Sequence, residues 1–223
     1  MPFQSLVLKI MDSCRQEGLW ATSRKAFVHL TRGRVVDMFD SMHGTDTGEP
    51  EPLWKFTITS PNARFGERYE ATKEQELEDA VHFLGVNLKS FTFIDLGCGK
   101  GRTLLLASGW GFEQIIGVEF AAELAEIART NLAKMQITNA SIIHGDAAEF
   151  PFLNTNMIIY LYNPFGPEVM RMVVANLRKS LAKRLYVIYR VPKCAEVFDS
   201  CGFLCRLGSP PGRPYIQIWK AMQ

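Results

Sequence analysis

From about residue 68 onward, short apolar runs alternate with segments in which apolar residues recur every three or four positions. The periodic segments predict helices, and the first of them follows Thr72, a candidate N-cap. Five apolar runs predict strands, over residues 91–96, 114–120, 140–144, 157–162 and 185–191. Apolar strands separated by amphipathic helices form a parallel sheet that helices cover on both faces. The alternation therefore predicts a doubly wound α/β fold.

The end of the chain departs from this alternation. Two further strand-like runs, 203–207 and 215–219, are joined by seven residues that include the Gly- and Pro-rich segment 208–212. So short a connection has no room for a crossover helix, and the pair must be antiparallel. The prediction is a mostly parallel seven-stranded sheet with a C-terminal antiparallel hairpin, a topology that differs from that of a dinucleotide-dependent dehydrogenase.

The first 60 residues form a separate unit in this interpretation. Residues 7–14 carry apolar residues on one helix face, and residues 43–52 read as a loop. We predict an N-terminal helical appendage over 1–60 and a second domain over 61–223. Residues 1–36 hold six Lys and Arg against two acids, which favours a solvated helical face and leaves a membrane surface or an acidic partner open.

Composition limits the classes of function. A net charge of +2 gives no sign of the basic face that nucleic-acid binding requires. The five cysteines have no framework spacing, no apolar run approaches the roughly 18 residues of a membrane span, and no secretory pattern opens the sequence. We therefore expect a cytoplasmic protein with free thiols and no integral membrane segment. The sequence suggests no metal site.

The strongest chemical signal is the segment Phe93 to Arg102, FIDLGCGKGR. It lies between the first predicted strand and a helix, where open α/β sheets bind ligands. A single glycine often marks a tight turn only, whereas glycines at 97, 99 and 101 let the backbone approach a ligand. Their spacing differs from the G-x-G-x-x-G of dinucleotide sites. The carboxylate of Asp95 suits a ligand with an ammonium and a sulfonium better than a pyrophosphate.

Residues 95–101 resemble motif I of the class I S-adenosylmethionine-dependent methyltransferases, and further motifs of that family follow in order over about residues 65–220. The resemblance implies that Glu119 holds the ribose hydroxyls, that Asp146 accepts the adenine amino group, and that Tyr69 and Thr72 contact the methionine end. S-adenosyl-L-methionine would be the cofactor and S-adenosyl-L-homocysteine the product. The predicted cofactor-binding residues are Tyr69, Thr72, Asp95, Gly97, Cys98, Gly99, Gly101, Arg102, Glu119, Phe120, Asp146, Ala147 and Asn163.

Asn163-Pro164-Phe165, at the end of the fourth strand, is similar to the Asn/Asp-Pro-Pro-Tyr/Phe box of amino-group methyltransferases, and these three residues are the predicted catalytic set. The box lacks its second proline, which together with the near-neutral charge disfavours nucleic acid as the acceptor. The chain is also similar overall to the seven-strand protein lysine methyltransferases. These likenesses favour a nitrogen acceptor, on a protein side chain or a small amine. A small-molecule O-methyltransferase, a member that binds the cofactor without catalysis, and more remotely a Rossmann-type NAD(P) reductase remain alternatives.

Structural roles also stay open for several of these residues. Glu119 could be a helix N-terminal acid, Asp146 an N-cap, Asn163 a loop opener and Cys98 a small filler in the turn. The core motifs leave the reacting methyl uncovered on one side. We therefore expect the N-terminal appendage to close over the methionine end as a lid that helps select the acceptor.

Overall fold

The computed structural model describes residues 37–180 and 182–222. The helix face predicted over residues 7–14 lies outside the described residues. In the described part of the chain no helix is long and apolar enough to span a membrane.

One seven-stranded sheet organises the domain, with the strand order β3-β2-β1-β4-β5-β7-β6. Strands β1 to β5 pair in parallel, and β7 runs antiparallel to both β5 and β6. The predicted fold class, including the terminal hairpin, is confirmed. The strands are β1 Thr92–Leu96, β2 Gln114–Glu119, β3 Ala140–His144, β4 Met157–Tyr162, β5 Leu185–Arg190, β6 Leu204–Gly208 and β7 Ile216–Ala221.

Helices cover both faces of the sheet because alternate residues of each strand point to opposite sides. Ile94 and Leu96 of β1 pack in the cluster that contains helices α5 and α6, whereas Phe93 packs in the cluster that contains α2 and α3. The α-helices of the described residues are α1 Met38–His43, α2 Glu74–Phe83, α3 Arg102–Ser108, α4 Ala122–Lys134, α5 Pro167–Leu177 and α6 Ala195–Asp199. The sequence did not predict α6, whose five residues are too few to show a helical period.

The start of α2 corrects one detail of the sequence interpretation. Lys73, with extended backbone, occupies the N-cap position, so the helix begins one residue later than a Thr72 cap would require. The Thr72 side chain is buried and its hydroxyl is hydrogen-bonded to the Tyr160 hydroxyl at 2.9 Å. A buried phenol needs a hydrogen-bond partner, and Thr72 meets that need instead of capping the helix.

Candidate functional site

A cavity of about 270 Å³ opens at the carboxyl ends of β1, β2 and β4. Its volume lies just below the range for small-molecule sites, roughly 300–1,000 Å³. It lies at the edge where an open α/β sheet is expected to bind ligands. The predicted site residues that line it are Tyr69, Gly97, Gly99, Glu119, Phe120, Asp146, Ala147, Asn163, Pro164 and Phe165.

Four other predicted residues line a smaller cavity that adjoins the first: Thr72, Asp95, Cys98 and Arg102. Gly101 lines neither of these two cavities. A Cβ on Gly101 would lie 3.2 Å from the Cβ of Ala128, so this glycine lets helix α4 pack closely against the loop. Whether these residues touch a cofactor stays a prediction.

The glycine loop has a conformation that side chains would prevent. Gly97 and Gly99 have φ angles of 84° and 54°, in the left-handed region that disfavours other residues. A Cβ on Gly97 would lie 2.8 Å from the Cβ of Pro164, and one on Gly99 would lie 2.1 Å from the ring of Tyr69. At the cavity wall the backbone of the glycine loop therefore contacts Pro164 at Gly97 and the ring of Tyr69 at Gly99.

The amides of this loop are already used within the protein. The N–H groups of Gly97 and Cys98 donate to the Val118 carbonyl at 2.8 and 3.1 Å. The N–H of Gly99 donates to the Glu119 carboxylate at 2.8 Å. A pyrophosphate site presents free amides at a helix N-terminus and favours negative charge there. Here the N–H groups of Gly97, Cys98 and Gly99 already have acceptors within the protein, and a carboxylate lies at the centre of the loop. Both features argue against a dinucleotide site.

Glu119 ends β2 and is almost fully buried. Its second carboxylate oxygen accepts the N–H of Ala121 at 2.8 Å. A carboxylate offers about four acceptor positions, so each oxygen keeps room for one further donor. Burial raises the pKa of Glu119 to about 7 despite these two hydrogen bonds. The geometry suits a ligand that brings a pair of neighbouring hydroxyl groups.

Asp146 combines an N-cap with a long-range anchor. One oxygen accepts the N–H of Ala148 at 2.8 Å. The other accepts both the hydroxyl of Ser60 and, at 2.8 Å, the side-chain amide of Asn62. One acceptor position therefore remains on the first oxygen. The anchor holds the segment that precedes α2 against the end of β3.

The same segment pairs with the Asn163-Pro164-Phe165 wall. The N–H of Glu67 donates to the Pro164 carbonyl at 3.1 Å, and the N–H of Gly166 donates to the Phe65 carbonyl at 2.9 Å. Asn163 is buried with a φ of 40°, and its side-chain oxygen accepts the Tyr189 hydroxyl at 3.5 Å. The Asn163 side-chain oxygen and the Pro164 carbonyl thus each have one protein donor and keep one further acceptor position.

The two cations of the glycine segment face away from the main cavity. Lys100 donates to the Asp46 carboxylate at 2.8 Å, and Arg102 donates to the Asp37 carboxylate at 2.7 Å. The Arg102 guanidinium also donates to the Thr47 hydroxyl. Residues 37–51, which we call the strap, therefore bind the loop through these two side chains.

Several residues of the main cavity were not predicted as site residues. Val191 and Lys193 follow the end of β5, so the rule that ligands bind at carboxyl strand ends gives a signal for them. Leu53 lies upstream of every motif and has no such signal. The proposed lid, residues 1–60, stays a prediction. Among the described residues no group of three or more His, Cys, Asp or Glu side chains is placed to hold a metal ion.

Comparison with known proteins agrees with this geometry. Residues 93–184 match a family model described as a methyltransferase domain. The chain is 37% identical over 76 residues to an uncharacterised RNA methyltransferase of Clostridium acetobutylicum, covering 34% of this chain and 16% of that protein. It is 28% identical over 102 residues to a demethylmenaquinone methyltransferase of Staphylococcus aureus, covering 45% and 39%. The matches thus span well under half the length of these relatives.

The fold is also similar to that of a putative methyltransferase from Escherichia coli. The TM-score is 0.55 at 15% identity, over 78% of this chain and 99% of the other. The match to a methyltransferase domain agrees with the class of protein that the strand order and the glycine loop indicate. The match to a methyltransferase domain over residues 93–184, together with the fold, confirms the predicted resemblance to the class I S-adenosylmethionine-dependent methyltransferases.

Proposed function

We propose that the protein binds S-adenosylmethionine in the main cavity and transfers its methyl group to an acceptor held against Asn163-Pro164-Phe165. The observation that carries the proposal is that one cavity joins the loop of Gly97 and Gly99, the Glu119 carboxylate and that acceptor wall. The methyl group of the cofactor and the acceptor atom would therefore lie next to each other, as direct transfer in a single displacement step requires.

The residues present fit this cofactor. Glu119 keeps an acceptor position on each oxygen, which matches the two ribose hydroxyls, and Asp146 keeps one for the adenine amino group. The loop glycines leave space that side chains would fill. When bound, the cofactor supplies a methyl carbon made electrophilic by the sulfonium.

The chain's own contribution would be orientation and exclusion of water. Tyr69, Phe120 and Phe165 line the cavity and present apolar surface to it. Holding two reactants in line can supply roughly 7–11 kcal/mol of the barrier. The backbone pairing of Glu67 with Pro164 stabilises the wall against which the acceptor would lie.

A nitrogen acceptor, on a protein side chain or a small amine, is the finer part of the proposal. Glu67 and Glu70 line the cavity on its exposed side, where carboxylates favour the approach of a cationic amine. The amine would then release a proton to solvent, because only its neutral form has the lone pair that displaces the methyl group. Arg68 forms an ion pair with Glu70, and Lys193 forms one with Glu67. These cations partly neutralise the negative charge of the two carboxylates.

The first test measures binding and transfer separately. Calorimetry should show micromolar affinity for S-adenosylhomocysteine. The labelled methyl group of the cofactor should then be transferred into a cell lysate that is fractionated into small molecules, protein and RNA. The label should appear in the small-molecule or the protein fraction. Tight binding with no labelled product would favour a binding-only member, and label in RNA would overturn the acceptor assignment. No binding of either cofactor form would contradict the proposal as a whole.

Asn163 offers a sharper test of the acceptor wall. Because its φ is 40°, Asn163→Ala adds backbone strain of about 1–2 kcal/mol, whereas Asn163→Gly does not. If the side chain contacts the acceptor, both variants should lower kcat/KM by about tenfold or more, the worth of one hydrogen bond. S-adenosylhomocysteine affinity should change little in either. Full activity of the glycine variant would show that only the backbone conformation matters.

A further inference from the structure

The strap contacts the glycine loop without lining the main cavity. None of the described residues that line the main cavity belongs to residues 37–51. The strap nevertheless reaches the loop through two buried cations, since Lys100 is 2% exposed and Arg102 is 7% exposed. Buried cations require partners, and here the strap carboxylates supply them.

Thr47 is the centre of these contacts and is fully buried. Its N–H donates to one Asp40 carboxylate oxygen at 2.8 Å, and its hydroxyl donates to the other at 2.7 Å. The same hydroxyl accepts the Nε–H of Arg102. Its carbonyl accepts the hydroxyl of Tyr69. One strap residue therefore contacts both the first residue of α3 and an aromatic ring of the cavity wall.

Tyr69 is held at three places. Its hydroxyl is fixed by Thr47, and its backbone pairs with Glu51 through hydrogen bonds of 2.8 and 3.1 Å. The ring lies directly on Gly99, and the Lys100 ammonium lies 5.7 Å from the ring centroid. A displacement of the strap must therefore move this ring or release its hydroxyl into a buried space.

We infer that Thr47 is a positioning residue for the methionine end of the cofactor, acting through Tyr69 and Arg102 without touching the ligand. The inference rests on the proposed function, because it assumes that the cavity binds the cofactor with its methionine end beside Gly99 and Tyr69. The adenosine end is held by Glu119 and Asp146, neither of which has a hydrogen bond to the strap.

The test uses the full chain and two probes, S-adenosylhomocysteine and 5′-methylthioadenosine, which lacks the amino-acid group. Thr47→Val keeps the shape and removes the hydroxyl, whereas Thr47→Ser keeps the hydroxyl. Thr47→Val should weaken S-adenosylhomocysteine binding by about tenfold or more, since the buried Arg102 cation and the partly buried Asp40 carboxylate each lose a hydrogen bond. Binding of 5′-methylthioadenosine should change by less than about threefold, and Thr47→Ser should resemble the wild type.

Tyr69→Phe is the second variant, for the case that Thr47→Val does not fold. It keeps the ring on Gly99 and removes only the hydroxyl that Thr47 accepts, so it should show the same selective loss. An equal loss for both probes would indicate general destabilisation and would overturn the inference. Unchanged binding of both would overturn it too. If the wild type bound neither probe, the proposed function itself would fail.

Discussion

Replacing Gly99 with valine is expected to reduce S-adenosylhomocysteine affinity by more than about 100-fold, or about 2.7 kcal/mol. The sequence suggests that a side chain here would fill space needed by the ligand, and the structure adds a second reason. A Cβ on Gly99 would lie 2.1 and 2.3 Å from two ring carbons of Tyr69. Tyr69 is tied to Thr47 and Glu51, so the loop must move instead, and the cavity wall moves with it.

Gly111→Val is the matched control for backbone strain. Gly111 also has a positive φ, 78°, but its nearest neighbour is a flexible part of the Lys89 side chain at 3.8 Å. Both variants should lose stability, by about 1–2 kcal/mol for the left-handed conformation alone. Only Gly99→Val should lose the rise in melting temperature that S-adenosylhomocysteine produces. A normal rise in that variant would mean that the loop is not the cofactor site.

Local sequence patterns were enough to predict the sheet. The five parallel strands were recognisable because β-branched and aromatic runs end in turns, and β3 and β4 have the bounds that the sequence predicted. The antiparallel hairpin followed from the length of its connection alone. In each case the deciding information lies within about ten neighbouring residues, whereas the helix start at Thr72 depended on the distant Tyr160.

The site was less predictable because its contacts join distant parts of the chain. Arg102 was predicted to bind the cofactor, yet its hydrogen bonds go to Asp37 and Thr47, 65 and 55 residues away. The Asp146 carboxylate likewise holds Ser60 and Asn62. A single sequence shows which residues carry charge and which end a strand. It does not show which charges meet in space, so the hydrogen bonds between the strap and the glycine loop had no signal in the sequence.

Glu119→Gln is the second substitution with a large expected effect. The carboxylate accepts two backbone N–H groups and, in the proposed complex, two ribose hydroxyls. Glutamine has one acceptor oxygen, so at least one buried donor is left facing an amide, at a cost of about 1–3 kcal/mol. Calorimetry should show a loss of about tenfold to 100-fold in S-adenosylhomocysteine affinity. Glu126→Gln, on the exposed side of α4, is the control and should bind normally.

The pH dependence of binding should identify the same carboxylate. Burial raises the pKa of Glu119 from 4.5 to about 7, so the unliganded fold loses this group's contribution to stability as the pH rises through that range. Ribose hydroxyls donate to the charged form, and cofactor affinity should therefore fall as the pH is lowered below about 7. Glu119→Gln should flatten that slope.

Asp95 must be separated from this effect, because burial raises its pKa to about 7 as well and the charge of Glu119 adds to the shift. Asp95 lines the smaller cavity and accepts the Thr103 hydroxyl, so a ligand ammonium there would also favour its charged form. Asp95→Asn combined with Glu119→Gln should leave affinity nearly independent of pH between about 6 and 8, since both cavity carboxylates whose pKa is raised to about 7 are then gone. If the single Glu119→Gln variant kept the full wild-type slope, Glu119 would not be the group that accepts the ribose hydroxyls.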